Sequence, residues 1–305
     1  LTDWDRLTHC TVPDGMVEVE TMNVDGVGEV LGNFTFAWTG TGGPYAGPIV
    51  NNLSNGDYFV TATKTSATAP ASGCASSPFK VTVLDDRRYP TVSFATLGST
   101  ACNNEFDGQI TVNATSTGFG AGTLYNFVWT GNPGGAVQIT DQMGVATGAV
   151  FQSESLGGPV GERIGPGAYN ITVTNTVNQC PVNGTVSLQK NTVPVEVILT
   201  DSDPLTHCTV PDGMVEVETM NVDGVGEVLG NFTFAWTGTG GPYAGPVVNN
   251  LSNGDYFVTA TKTSVTAPAS GCATTPFKVT VLDDRRYPTV SFATLGSTAC
   301  NNEFD

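Results

Sequence analysis

Residues 1–107 return almost unchanged as residues 199–305. Only six aligned positions differ: Trp4/Ser202, Arg6/Pro204, Ile49/Val247, Ala67/Val265, Ser76/Thr274 and Ser77/Thr275. Repetition at this fidelity restricts the chain to a series of like units, each closing its own core or leaning on its neighbour. The 305 residues hold one full period and part of a second, which predicts a window on a longer tandem array.

A weaker repeat lies inside the period. "CTVPDGMVEVE" at 10–20 matches "CNNEFDGQITVNA" at 102–114, and "NLSNGDYFVTA" at 52–62 answers "RIGPGAYNITV" at 163–173. Two unit types follow. Type A covers 1–88 and again 193–286, type B covers 89–192, and 287–305 opens a truncated second B unit.

Both types alternate apolar and polar residues with period two, the mark of half-buried strands. Val17 and Val19 share a face in A, as do Phe34, Phe36 and Trp38, then Tyr58, Val60 and Ala62, then Phe79, Val81 and Val83. B repeats this with Ile110/Val112/Ala114, Tyr125/Phe127/Trp129, Tyr169/Ile171/Val173 and Val186/Leu188. With 37 Gly and 18 Pro to make turns and no long helical stripe, the chain reads as all-β. About seven short strands per unit, with a Trp on the third, predict immunoglobulin-like β-sandwich domains in an extended tandem array. Leu53-x-x-Gly56-x-Tyr58 and Ile164-x-x-Gly167-x-Tyr169 look like tyrosine corners. Trp38, Trp129 and Trp236 could be sugar-stacking platforms, but their alternation with inward phenylalanines favours packing, so the core set is these three with Tyr58, Tyr169 and Tyr256.

Seven cysteines recur at fixed phases, which implies a disulfide framework formed in an oxidising compartment. Pairing within domains would give Cys10–Cys74, Cys102–Cys180 and Cys208–Cys272. In a sandwich, however, the first cysteine of each unit follows the opening strand at one end, and the second lies between the last two strands at the other. Strands of about eight residues separate those ends by ~25 Å, against a Cα limit of roughly 7 Å. The short "DDRRYP" connection at 85–90 brings opposite ends of successive domains together. That favours Cys10–Cys180 and Cys102–Cys272, with Cys74, Cys208 and Cys300 pairing beyond the sequence given; the within-domain set stays open as the alternative.

Charge and motif content narrow the functional classes. A net charge of −17 with few cations repels phosphate backbones, so nucleic acid is not an expected partner. No run of 18 apolar residues crosses a membrane. His9 and His207 are one position seen twice, the cysteines fit no CxxC site, and no catalytic constellation emerges, so no enzyme is expected. No cofactor is expected either. Calcium at the domain junctions, through Asp85/Asp86 and Asp201/Asp203, is the best metal candidate, but Asp-Arg-Arg runs neutralise themselves and no D-x-[DN]-x-[DN]-G series occurs. Sequons at Asn33, Asn52, Asn113, Asn170, Asn183, Asn231 and Asn250 read as composition. A Lys–Asn crosslink would need an apolar-buried lysine, and Lys80 and Lys278 fall on a polar face, which argues against one.

The ordered set of a cysteine, Asp-Gly, an aromatic-x-aromatic-x-Trp strand ("FTFAW", "YNFVW"), Leu/Ile-x-x-Gly-x-Tyr and a second cysteine resembles the SprB-type repeat of giant surface adhesins of gliding bacteria. The A units keep "GC" after a long loop (64–74), whereas B has "QC" and an insertion at 134–158. The resemblance implies an extracellular, cell-surface filament serving attachment or gliding, with no catalytic residues. Its partners would be neighbouring repeats of the chain, and surface glycans or other filaments. An array of carbohydrate-binding modules is the alternative, resting on Tyr45 and Tyr243 as exposed aromatics.

Overall fold

The structure is a computed structural model that describes residues 4–67, 70–131, 133, 139–265 and 268–294. Every long regular element is a strand, and the only helical pieces among the described residues are three single 3-10 turns. Three separate hydrophobic cores form, over Leu7–Val83, Ile110–Leu188 and Val195–Val281. Two compact units contain them: 1–100 with 106–191, which holds the first two cores, and 101–105 with 192–305, which holds the third.

Each core is a sandwich of two antiparallel sheets. In the first, Gly15–Glu18 pairs with Trp4–Asp5 on one side and Ile49–Leu53 on the other. The facing sheet runs Tyr45–Ala46, Phe34–Gly40, Gly56–Lys64, Phe79–Val83. The second core repeats the plan with Thr91–Leu97, Gln109–Thr115 and Ala149–Gln152 against Gln142–Val145, Tyr125–Gly131, Gly167–Asn175 and Pro181–Leu188. The third uses Val195–Asp203, Gly213–Val222 and Val247–Leu251 against Tyr243–Ala244, Phe232–Thr237, Gly254–Lys262 and Phe277–Val281. This division, first, second and fifth long strands against the remainder, is that of immunoglobulin-like sandwiches. The sequence reason is the period-two pattern: Tyr58, Val60 and Ala62 are buried while Asp57 and Phe59 face out.

After pairing in the first sheet, the opening segment of every sandwich crosses to the second and touches its last strand in parallel, at Leu7–Asp85, Ser99–Lys190 and Leu205–Asp283. Leu7 donates to the Leu84 carbonyl at 2.9 Å and accepts from Asp86 N–H at 2.8 Å; Leu205 does the same with Leu282 and Asp284. The crossing closes a sheet edge that would otherwise be open to pairing.

The third sandwich includes residues 193–198, which have no counterpart ahead of Leu1 in the sequence given. Val195 and Val197 pair with Val222 and Met220 and cover the third core, where Met220 is fully buried. In the first sandwich Met22 is half-buried beside a groove of about 330 Å³, lined by Val19, Phe36, Val60 and Phe79 among others.

Candidate functional site

The residues that set these sandwiches apart from a bare scaffold gather in two places: the loops that carry cysteines, and a buried charged cluster beside the loop before the last strand. The first cysteine of each unit sits in a loop tied down by one aspartate. Thr8 donates to Asp14 through both its N–H (2.8 Å) and its hydroxyl (2.6 Å), and His9 N–H joins at 3.2 Å. Thr206, His207 and Asp212 repeat this arrangement. In B, Thr100 N–H and hydroxyl bind Asp107, and Ser99 Oγ adds a bond at 2.8 Å. These bonds favour the ionised form: burial pushes Asp14 up, but the donors from Thr8 and His9 outweigh it and hold the carboxyl low, and Asp212 is held at about 2, chiefly by the Thr206 hydroxyl. His9 and His207 accept backbone N–H bonds on Nδ1, from Thr11 and Val12 and from Thr209 and Val210. They shape the loop.

The glycine of each Asp-Gly pair has a steric reason. A Cβ at Gly15 would lie 2.6 Å from Val83 Cγ1 and 2.7 Å from the Leu53 carbonyl; one at Gly213 would meet Val281 and Leu251 just as closely.

The second cysteine follows the residue that closes the sixth long strand. Lys64, Asn175 and Lys262 each accept from the residue before that cysteine (Gly73, Gln179, Gly271) and donate to the cysteine carbonyl. The preceding residue is left-handed in all three, at φ 77°, 54° and 72°. The "QC" of B therefore takes the backbone shape of "GC", with glutamine in a conformation that glycine adopts without strain.

The structure joins Cys10 to Cys180 and Cys102 to Cys272, with Cα separations of 4.9 and 4.8 Å. The contacts around them repeat: Cys10 N–H donates to the Asn178 carbonyl at 2.9 Å and Cys102 N–H to the Ser270 carbonyl at 2.7 Å, in each case two residues before the partner cysteine. Asn178 also donates to the Arg88 carbonyl at 2.9 Å. The within-domain pairs Cys10–Cys74, Cys102–Cys180 and Cys208–Cys272 are not formed, because Cys10, Cys102, Cys180 and Cys272 are already engaged. Cys74 and Cys208 are exposed thiols, and Cys300 lies outside the described residues.

Trp38 and Trp236 are buried, and their indole N–H groups donate to the carbonyls of Gly47 and Gly245 at 2.9 Å. Trp129 is different. It is half-buried, stands edge-on to Phe151 at 5.0 Å and Tyr169 at 6.0 Å, and its Nε1 finds no acceptor among the described residues. The turn that carries Gly47 in A, between Tyr45–Ala46 and Ile49–Leu53, is replaced in B by 146–148, between Gln142–Val145 and Ala149–Gln152. Tyr58, Tyr169 and Tyr256 are buried and donate to the carbonyl four residues upstream, Ser54, Gly165 and Ser252, at 2.7–2.9 Å. Burial pushes the Tyr169 phenol up to about 12.

Tyr45 and Tyr243 are not open aromatic platforms. Each is half-buried, packs 6.2 Å from Tyr58 or Tyr256, and donates to the Thr41 or Thr239 carbonyl at 2.8 Å. Among the proposed calcium ligands, Asp85 is held by Arg87 through Nε and NH2 at 2.9 and 2.6 Å, which keeps its carboxyl at about 2, and Asp86 faces Arg88. Among the described residues no three acidic, histidine or cysteine side chains converge to hold a metal.

The buried charged cluster was not anticipated by sequence reasoning. Lys64 is 2% exposed; its Nζ donates to Glu29 Oε1 at 2.7 Å and to the Pro70 carbonyl at 3.0 Å. Glu29 Oε2 accepts from Asn33 Nδ2 at 2.8 Å. Lys262, Glu227, Asn231 and Pro268 reproduce the set at 2.7, 2.7 and 2.9 Å. The bond from the lysine, then that from the asparagine, holds each glutamate below the usual carboxylate range. B places Asn175 at the lysine position, fully buried and with its Nδ2 unpaired among the described residues. The alternation Tyr58, Val60, Ala62 points inward to Lys64, and that was the available signal. Lys80 and Lys278 pair with Asp57 and Asp255 on the surface.

No protein-family model matches the chain, and no curated protein matches it. Among solved structures it is similar to the N-terminal eight Ig domains of Down Syndrome Cell Adhesion Molecule isoform 1.30.30, at 14% identity and a TM-score of 0.32, over 83% of this chain and 33% of that one. It is also similar to protocadherin gammaB7 EC3-6, from a cis-dimer structure, at 14% identity and a TM-score of 0.21, over 90% of this chain and 73% of that one. The chain thus spans about a third of the first of these.

Proposed function

We propose that this chain is a repeat segment of a long extracellular surface filament or adhesin of the SprB-repeat kind, in which disulfides between successive sandwiches give reach and tensile strength for surface attachment or gliding. The domains are the A, B, A series over 1–88, 89–192 and 193–286. The observation that carries the reading is the pair of disulfides, each spanning 170 residues, in loops that share the same aspartate anchor and the same backbone bond. Cys74 and Cys208 stand at the phases of Cys272 and Cys10, so each is half of a further link of the same series. The segment does no chemistry on a substrate, and its acidic surface discourages nonspecific association. Adhesive specificity resides in loops such as 40–48 or the 134–158 insertion, or in parts of the protein beyond this sequence.

Single-molecule extension of the 305-residue chain held at its ends tests this. With both links closed, the shortest covalent path between Cys10 and Cys272 runs through both disulfides and back along 180–102, about 78 residues, or roughly 270 Å when fully drawn out. Reduction should add about 184 residues, roughly 600 Å. Equal extension before and after reduction would sink the latch and leave a string of independent beads.

A further inference from the structure

Lys64 is almost wholly removed from water, yet sandwich B builds the same position with a neutral Asn175, so the fold does not need an ion there. Taking an ammonium out of water is costly until a counter-charge offsets it. A cluster that pairs a buried lysine with an asparagine across one carboxylate, twice over with matching distances, is arranged for chemistry that removes the charge. Glu29 touches the amine with one oxygen and the amide nitrogen with the other. It therefore contacts both the nucleophile and the leaving group of an amide exchange.

We infer that Lys64 and Asn33, and likewise Lys262 and Asn231, form intramolecular isopeptide bonds, with Glu29 and Glu227 carrying the protons. The reaction balances without an external reagent. Glu29 takes a proton from the Lys64 ammonium, and the free amine attacks Asn33 Cγ. The Cγ–Nζ bond forms, the Cγ–Nδ2 bond breaks, and Glu29 returns the proton to the departing nitrogen. The amine's second proton follows, so the nitrogen leaves as ammonium and the glutamate ends as it began. Burial of the Lys64 end of the new bond shields it from hydrolysis. The bond would tie the 3-10 turn at Leu31–Asn33 to the end of the Gly56–Lys64 strand. In the second A sandwich it anchors the base of the loop bearing Cys272, since Lys262 N–H donates to the Cys272 carbonyl at 2.9 Å and Nζ holds Pro268.

Intact mass measurement of the reduced 305-residue chain tests the inference. Two bonds lower the mass by about 34 Da, about 17 Da for each ammonia lost. Cleavage at Asp57 and Asp255, which lie between the joined residues, should yield branched peptides linking Asn33 to Lys64 and Asn231 to Lys262, and no crosslink in the 89–192 sandwich. Glu29→Gln should halve the deficit, while the intact Glu227 site in the same molecule reports that the reaction conditions were met. A mass equal to that of the sequence overturns the proposal. So does a deficit carried by a linear peptide, which marks cyclisation of an asparagine, and retention of both crosslinks in Glu29→Gln removes the carboxylate from the mechanism.

Discussion

Asp14 and Asp212 each hold a cysteine-bearing loop by accepting several hydrogen bonds, and Asp85 and Asp283 hold Arg87 and Arg285 in two-point contact. Asp85, Asp212 and Asp283 are drawn down to about 2 by these donors. A carboxyl depressed on folding contributes stability that is complete above its unfolded value, near 4, and lost as pH falls through the folded one. Thermal melts should therefore change little from pH 7 to about 4 and decline steeply towards pH 2. Asp212→Asn with Asp14→Asn should make that decline shallower; an unchanged slope would deny these loops a part in it. Tyr169 offers a second test at this scale. Tyr169→Phe leaves the Gly165 carbonyl without its buried donor and should cost about 1 kcal/mol, read as faster amide exchange in the Gly167–Asn175 strand.

The elements differ in how well they could be read from the sequence. Alternation identified Phe34–Gly40 and Gly56–Lys64 because one face packs and the other is wet, and it placed the tyrosine corners because their spacing is set by local backbone geometry. The same alternation treats Trp38 and Trp129 alike, yet among the described residues only Trp38 has an acceptor, since the acceptor comes from a turn that differs between A and B. Nor could it bring Glu29, Asn33 and Lys64 together, because the hairpin that carries Glu29 is placed by packing between distant elements. Met220 is buried and Met22 only half-buried because Val197, which has no counterpart ahead of Leu1 in the sequence given, pairs beside the former. The tryptophan contrast is measurable. Trp38→Phe and Trp129→Phe both remove ring area, but only the first breaks an indole hydrogen bond, which adds about 1 kcal/mol to its cost. Hydrogen exchange should show Phe34–Gly40 loosened more by its substitution than Tyr125–Gly131 by its own; the reverse order would mean that the edge contacts of Trp129 to Phe151 and Tyr169 outweigh the bond.

At the scale of the whole chain, the two disulfides matter because their loops overlap. Cys102 lies inside the segment closed by Cys10–Cys180, and Cys180 lies inside that closed by Cys102–Cys272. A break in the backbone between 10 and 102 leaves the path through Cys10–Cys180 and on to 272. A break between 180 and 272 leaves the path through 102 and its disulfide, and a break between 102 and 180 leaves either. No single peptide cleavage between Cys10 and Cys272 can part the ends, whereas two disulfides closed within separate domains would leave every connection between them a point of failure. This is a property of connectivity, independent of how strongly any sandwich folds. Limited proteolysis should therefore give nicked chains that migrate as one species without reductant and fall apart with it. Exposed positions such as Ala67 and Pro70 in the 64–74 loop, and Val160 in B, are the expected first cuts. Cys10→Ser with Cys180→Ser should let a single cut at 64–74 release the fragment ahead of the cut under denaturing, non-reducing conditions, while the same variant stays whole after a cut between Cys102 and Cys272. Release of fragments from the unreduced native chain by one cut in either loop would show that the loops do not interlock.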